Sequence, residues 1–514
     1  MDKYRSYMKY KRIPGKVMIV AFLTLGCQKE IVNEAMISGT VRDDGGIASD
    51  ATVNLYSRLE NSSTISDVNG AYRFKHLPRG DYKITGFKST ATGTVLTQIN
   101  TDGEQLIANI TLSIPPPPST GGGGSCPYIY TFNGESYVFN GDIYAGAIYP
   151  NLERNDYTSL HDLNPVNGEY RIKIANELQE RQYTNIAELL VVKHPNNVHV
   201  LFDKYGNLQT FSKPLPPLSA LSPLGVDYKP FLQKSDEHSY LFNEEPLKAP
   251  SLINKLTDLM FPQSGMNSLI VTFNKPKDAQ HANLVVKAKN SNWSVLLWHQ
   301  FTELFGDYFN TWRKEQSLRP TDELLAWRER EGIPMMVYLE TNTGWEYLDC
   351  FNMVGSVVSR EMIMSLNLSK YKGAKLKLKF ECAFMFWELD YAAMDYSEQV
   401  SCQVERISPS ELLGKNNENA AGSLKIDDSL YLSHLNNGDQ NVLIYPASPL
   451  TIGSGTTSYI LHSKGYYEQK VNSTRTPDYL TLLTFLRPGA FAQYSLNHFS
   501  ELSHGSALAS GQDR

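Results

Sequence analysis

Apolar and polar residues alternate along much of this chain, the pattern of strands with one face buried. Met36–Val41, Ala51–Tyr56, Ala71–Phe74 and Asp81–Thr85 alternate, with turn-forming words at Asp43–Gly46, Asp67–Gly70 and Leu77–Gly80. Strands of four to six residues punctuated this often predict a small antiparallel sandwich over residues 36–114. Further on, Tyr170–Ile174, Glu188–Lys193, Asn267–Phe273, Asn283–Ala288, Met335–Leu339, Lys375–Phe380 and Ala383–Trp387 also read as strands. Asn133-Gly134 sits between two aromatic-rich alternating runs and predicts a two-residue hairpin turn. Residues 214–250 are rich in Pro, Ser and Leu and predict a long irregular connection. Residues 408–500 predict more short strands, with Gly465–Glu468 and Leu486–Gly489 as turn-bearing words.

Helical period appears only in the middle. Leu297, Phe301, Phe305, Tyr308 and Trp312 step by three or four, which places five apolar groups on one helical face. Pro320-Thr-Asp322 then starts a second short helix through Trp327. A Trp and Phe stripe at this spacing is expected to be a packing face rather than a ligand box. The fold expected is therefore mainly β: a small sandwich, then a large β-rich region interrupted by a short helical insertion. Its divisions are 36–114, 126–290, 291–332 for the helical insertion, and 333–500, with a disordered tail at 501–514. Pro115–Pro118 followed by a Gly run makes residues 115–125 a linker, stiff and then loose.

The N-terminus carries an address. Six bases precede residue 17 against the single acid Asp2, and Val17–Leu25 is an apolar run ending in Gly26-Cys27. The run is far short of the roughly 20 residues of a membrane span, so it predicts a secretory signal over 1–26. The Gly26-Cys27 junction resembles the lipobox of bacterial lipoproteins, with Thr24 departing from the usual Leu. That resemblance implies acylation of Cys27, palmitate being a typical chain, and 27–35 as a tether. Gln28-Lys29-Glu30 resembles the export tag of Bacteroidetes-type surface lipoproteins. The implied location is the outer membrane, lipid-anchored, at the cell surface.

Ser38–Val41, Asp67 with Asn69–Phe74, and Leu77–Tyr82 resemble the carboxypeptidase regulatory-like domain, a prealbumin-like sandwich related to carbohydrate-binding modules. That resemblance imports no catalytic residue. Gly344–Ser397 looks like a galactose-binding type of jelly-roll. Cys126-Pro127, Asn133–Glu135, Gly141-Asp142 and Trp387–Tyr391 resemble the large uncharacterised region that accompanies regulatory-like domains in some bacterial lipoproteins.

Composition narrows the choice. With 41% hydrophobic and 20% charged residues in 514, the chain has material for packed cores. A net charge of -6 argues against a nucleic-acid partner. Without residues 1–26 the chain holds 42 bases and 53 acids, so its charge becomes -11.

Candidate chemistry is sparse. Glu388, Asp390 and Asp395, beside Trp387 and Tyr391, form the best acidic cluster. Alternation puts Glu388 and Asp390 on one strand face, about 7 Å apart. Three readings stand: acids facing water at a strand end, a ligand or calcium site, or a carboxylate pair for glycoside hydrolysis. No metalloprotease, nucleophile-elbow, phosphate-loop or dinucleotide motif occurs, and the histidines show no metal-ligand spacing. Apart from calcium on those acids, no cofactor is expected. Cys126, Cys350, Cys382 and Cys402 allow three disulfide pairings, with 382–402 and 126–350 the pairs that strand positions suggest. The function expected is a lipid-anchored surface protein without catalysis, binding a carbohydrate or an envelope partner. The rival is a secreted polysaccharide hydrolase acting through Glu388 and Asp390.

Overall fold

The computed structural model describes residues 35–43, 46–57, 61–88, 91–112, 126–244, 265–414, 422, 424–451 and 454–509. The expected signal, Cys27 and the expected linker lie outside them. Strand accounts for 46% and helix for 15%, so the protein is mainly β, as alternation predicts.

Two sheets enclose the first core. One runs Gly46–Ile47, Met36–Asp43, Ala71–Lys75; the other runs Asn61–Ile65, Thr52–Tyr56, Gly80–Lys88, Ala91–Ile99. Ile37, Val41, Val53, Leu55 and Ile84 are fully buried between them. The turn before Ala71 forms because Asp67 Oδ1 accepts from the Asn69 and Ala71 amides, and Gly70 has φ 69°.

The second core belongs to strands from both ends of the remaining chain. Its five-stranded sheet runs Tyr137–Asp142, Tyr128–Phe132, Glu169–Ala175, Gln440–Pro446, Glu411–Gly414. The facing sheet runs Arg154–Leu160, Thr456–Gln469, Glu180–His194, Gln403–Ile407. The third core is inserted between His194 and Gln403. There, Ser219–Leu221, Met266–Asn274, Lys375–Ala383, Met335–Thr341 and Gly344–Phe351 form one sheet. Arg360–Asn367, His281–Asn290 and Trp387–Asp395 form the other. One sandwich is thus nested in another, and the expected divisions at 290 and 333 fall inside shared sheets. Met266–Asn274 pairs along its whole length with Lys375–Ala383, and His281–Asn290 pairs with Trp387–Asp395.

Five α-helices lie among the described residues: α1 (Asn292–Glu303), α2 (Phe309–Gln316), α3 (Thr321–Arg330), α4 (Tyr479–Thr484) and α5 (Ala490–Ala509). Ser291 caps α1 by accepting from the Ser294 amide, and Asp478 caps α4 through the Thr481 amide. The predicted single stripe from Leu297 to Trp312 is broken between α1 and α2, where Gly306 takes φ 53°. Its would-be Cβ lies 2.1 Å from the Arg475 carbonyl oxygen, so no larger residue fits there. Phe491, Leu496 and Phe499 of α5 enter the third core. The helix continues to Ala509, where a disordered tail from 501 is expected from the sequence.

Several local expectations are corrected. The hairpin after Phe132 has a four-residue loop, because Asn133 Oδ1 accepts from both the Glu135 and Ser136 amides and Phe132 pairs with Tyr137. Ala383–Trp387 is not one strand: Phe384–Phe386 form a buried turn between a strand ending at Ala383 and one starting at Trp387, with Met385 at φ 59°. Gly465–Glu468 lies within the fourteen-residue strand Thr456–Gln469. The glycine is needed because a Cβ there would sit 2.4 Å from the Tyr183 carbonyl oxygen. Cys126, Cys350, Cys382 and Cys402 are all free thiols. Each suggested pair would bridge two different sandwiches, Cys126 lying in the second core and Cys382 in the third.

Candidate functional site

The acidic strand is neither exposed nor open. Glu388 is 3% exposed, and Asp390 and Asp395 are buried with it. The outer face of their sheet is covered by the connection expected to be irregular: the Asp236 amide donates to Asp390 Oδ1 at 3.2 Å. Lys289 Nζ lies 3.5 Å from Glu388, and Lys287 Nζ lies 3.5 Å from Asp390 and 2.7 Å from Glu237. Burial pushes both the Glu388 and Asp390 carboxyls above their ordinary range, and the lysines offset part of that rise. Asp395 organises a loop, accepting from the Lys213 amide at 2.6 Å and the Ser397 amide at 2.8 Å. The Trp387 ring is buried, and its indole N–H donates to the Ile333 carbonyl at 3.0 Å. Tyr391 packs half-buried against Leu201, Phe211, Val285 and Ile363. Among the described residues, no group of three or more His, Cys, Asp or Glu is placed to hold a metal ion.

A different site is built where the helices meet the second sandwich. A cavity of about 410 Å³ lies there, within the range of sites for small organic ligands. Its wall is aromatic: Trp298, Phe301, Phe305, Tyr308 and Trp312 from α1, α2 and their junction, and Trp327 from α3. Phe305 and Trp312 stack at 4.1 Å between centroids, while Phe301 meets Phe485 and Phe491 edge to face. Tyr479, Leu483 and Leu486 flank the opening and are 60–80% exposed, so the mouth itself is apolar.

The wall also carries polar side chains: Ser294, Gln316, Arg319, Gln469 and the buried Arg328. Arg328, on α3, is 8% exposed, and its guanidinium donates to the Gly146 carbonyl at 3.4 Å. Gly146 takes φ 80°, and a Cβ on it would meet Arg328 Nη2 at 2.8 Å. Nearby, Arg154 donates to the Ala145 and Met353 carbonyls and lies 3.5 Å from Asp156, which also holds Arg360 at 2.9 Å. Burial opposes ionisation of Asp156, yet Arg360 and Arg154 together hold its carboxyl below the ordinary value. Burial, reinforced by Arg154, lowers Arg328 to about 10, still fully cationic at neutral pH.

The helical stripe is visible in the sequence, but the cavity is not. Arg328 is the residue that sequence reasoning misses. The available signal is its place four residues after Leu324, which puts it on the buried side of α3.

No family model matches the chain, and no curated protein matches it. Among solved structures, a DUF4876 family protein from Bacteroides thetaiotaomicron is 10% identical with a TM-score of 0.14. That match covers 35% of this chain and 42% of that protein, less than half its length. The major pilin subunit of Bacillus cereus is 9% identical over 80% of this chain and 95% of its own, TM-score 0.13. The major pilin of Corynebacterium diphtheriae is 8% identical over 72% and 86%, TM-score 0.14. Similarity at this level carries no inference about function.

Proposed function

We propose that this protein is a non-catalytic binding protein, lipid-anchored at the cell surface through Cys27, whose ligand occupies the aromatic pocket beneath the helices. The observation that carries the binding reading is the cavity itself: about 410 Å³ held open in a wall with eleven aromatic side chains and an apolar mouth. A core packed only for stability closes such a space, because each unfilled volume forfeits contacts. The burial and lysine pairing of Glu388 and Asp390 favour binding over hydrolysis. The anchor rests on the basic, apolar and Gly26-Cys27 sequence, within a lipoprotein-like chain bearing a regulatory-like domain. Nile red, a neutral dye whose emission shifts on entering an apolar site, should bind the purified chain saturably at one equivalent. A titration without saturation would contradict the reading. Incorporation of a palmitate analogue in cells should disappear in Cys27→Ala.

A carbohydrate ligand is supported at a second place. Tyr338, Trp345 and Tyr347 lie together on the strands Met335–Thr341 and Gly344–Phe351, with Lys379 Nζ 4.2 Å from the Tyr338 ring centre. Trp345 and Tyr347 are partly exposed, as sugar-stacking rings must be. Glycan-array binding lost in Trp345→Ala would support that site, and an array without signal would remove it.

A further inference from the structure

The pocket has a chemical polarity. Arg328 is a buried cation with no carboxylate within salt-bridge reach among the described residues, and its hydrogen bond to Gly146 is long. Burying an unpaired charge is costly, and the wall of the cavity brings no carboxylate to offset it. The neighbouring charges do not help: Arg154 and Arg360 share the single carboxylate of Asp156. Asp142, also beside Arg360, has its carboxyl raised by burial to about 7. The Arg328 end of the cavity is therefore electropositive, the exposed Arg319 elsewhere in the wall is neutralised by Glu323 at 3.1 Å, and the mouth at Tyr479, Leu483 and Leu486 is apolar.

We propose that the pocket takes a single-chain amphiphile with one anionic head, a long-chain carboxylate, its head paired with the Arg328 guanidinium and its chain lying along Phe301, Phe305 and Trp312. This rests on reading the pocket as the ligand site. Arginine suits a carboxylate because its planar fork donates two parallel N–H groups. A sugar fits less well, since most of the wall is aromatic and aliphatic and offers few partners for its many hydroxyls. The exposed Tyr479, Leu483 and Leu486 give an acyl chain an apolar path inward.

Laurate, dodecanol and dodecyltrimethylammonium share one chain and differ in the head, so binding of each to the delipidated full chain isolates the charge effect. Tryptophan emission, with Trp298, Trp312 and Trp327 in the wall, reports binding. Laurate should bind at least about tenfold more tightly than dodecanol, as a charge-assisted hydrogen bond implies. The cationic amphiphile should bind more weakly than either. Arg328→Met should remove the laurate preference while keeping dodecanol affinity, and Arg328→Lys should retain part of it. Laurate binding no better than dodecanol in the unaltered protein would overturn the anionic head while leaving the pocket reading intact. A preference that survives in Arg328→Met would do the same. Failure of all three and of Nile red would overturn both.

Discussion

Charged residues are the least expected occupants of a sandwich interior, and here they decide how the molecule responds to substitution and pH. Glu388 is held beside Lys289, and its Oε1 has no hydrogen-bond partner. Removing the cation in Lys289→Met should cost about 3–5 kcal/mol, the usual result of leaving a buried charge alone. Denaturant unfolding measures it, and a cost below about 1 kcal/mol would show that the pair is relaxed by water. Asp142 and Glu180 behave differently. Burial raises the first from 3.8 to about 7 and the second from 4.5 to about 8. In the folded state both keep protons that the unfolded chain has already released. Their contribution is complete below the unfolded values and is lost as pH rises through the folded ones. Stability should therefore fall between about pH 4 and 8, each group adding a slope of up to about 1.4 kcal/mol per pH unit. Asp142→Asn with Glu180→Gln should flatten that profile, and a melting curve that stays equally steep would contradict the assignment.

At the level of elements, the readable features were those whose two faces differ. Lys375–Phe380 alternates charged and apolar residues and is a strand with the charged positions outward. Ala383–Trp387 is apolar throughout, and continuous apolarity does not distinguish a strand from a buried turn. Gly465 looked like a turn residue, yet its reason is close approach to Tyr144 and Tyr183 inside a strand. The aromatic stripe was legible as an apolar face, whereas the cavity depends on where packing stops, which no spacing encodes. Long-range cover was equally hidden: nothing in Glu388 or Asp390 announces that residues 235–237 lie over them. Gly306 is a more favourable case, because its φ of 53° lets α1 turn into α2 around the pocket. Gly306→Ala should destabilise by about 1–3 kcal/mol through backbone strain, with more from the Arg475 contact. It should also weaken Nile red binding in the same titration. Unchanged affinity would detach the helical junction from the site.

For the whole molecule, nesting makes remote segments interdependent. The third core opens at Ser219 and closes at Asp395, yet it is completed by α5, whose Phe491 amide and the neighbouring Gly489 amide donate to Glu331. A chain ending at residue 474 loses Phe491, Leu496 and Phe499 from that core and the rim of the pocket together. It should bind a hydrophobic dye non-specifically and lose its near-ultraviolet dichroism. A sharp, unaltered thermal transition in that shortened protein would mean that the helices are an accessory.

The central claim is that the space beneath the helices is a ligand site. The most direct measurement is the Nile red dissociation constant of Val295→Trp, which projects an indole into the cavity from α1. Filling the space should abolish saturable binding while leaving thermal stability equal or higher. Unchanged affinity in a folded Val295→Trp protein would contradict the claim.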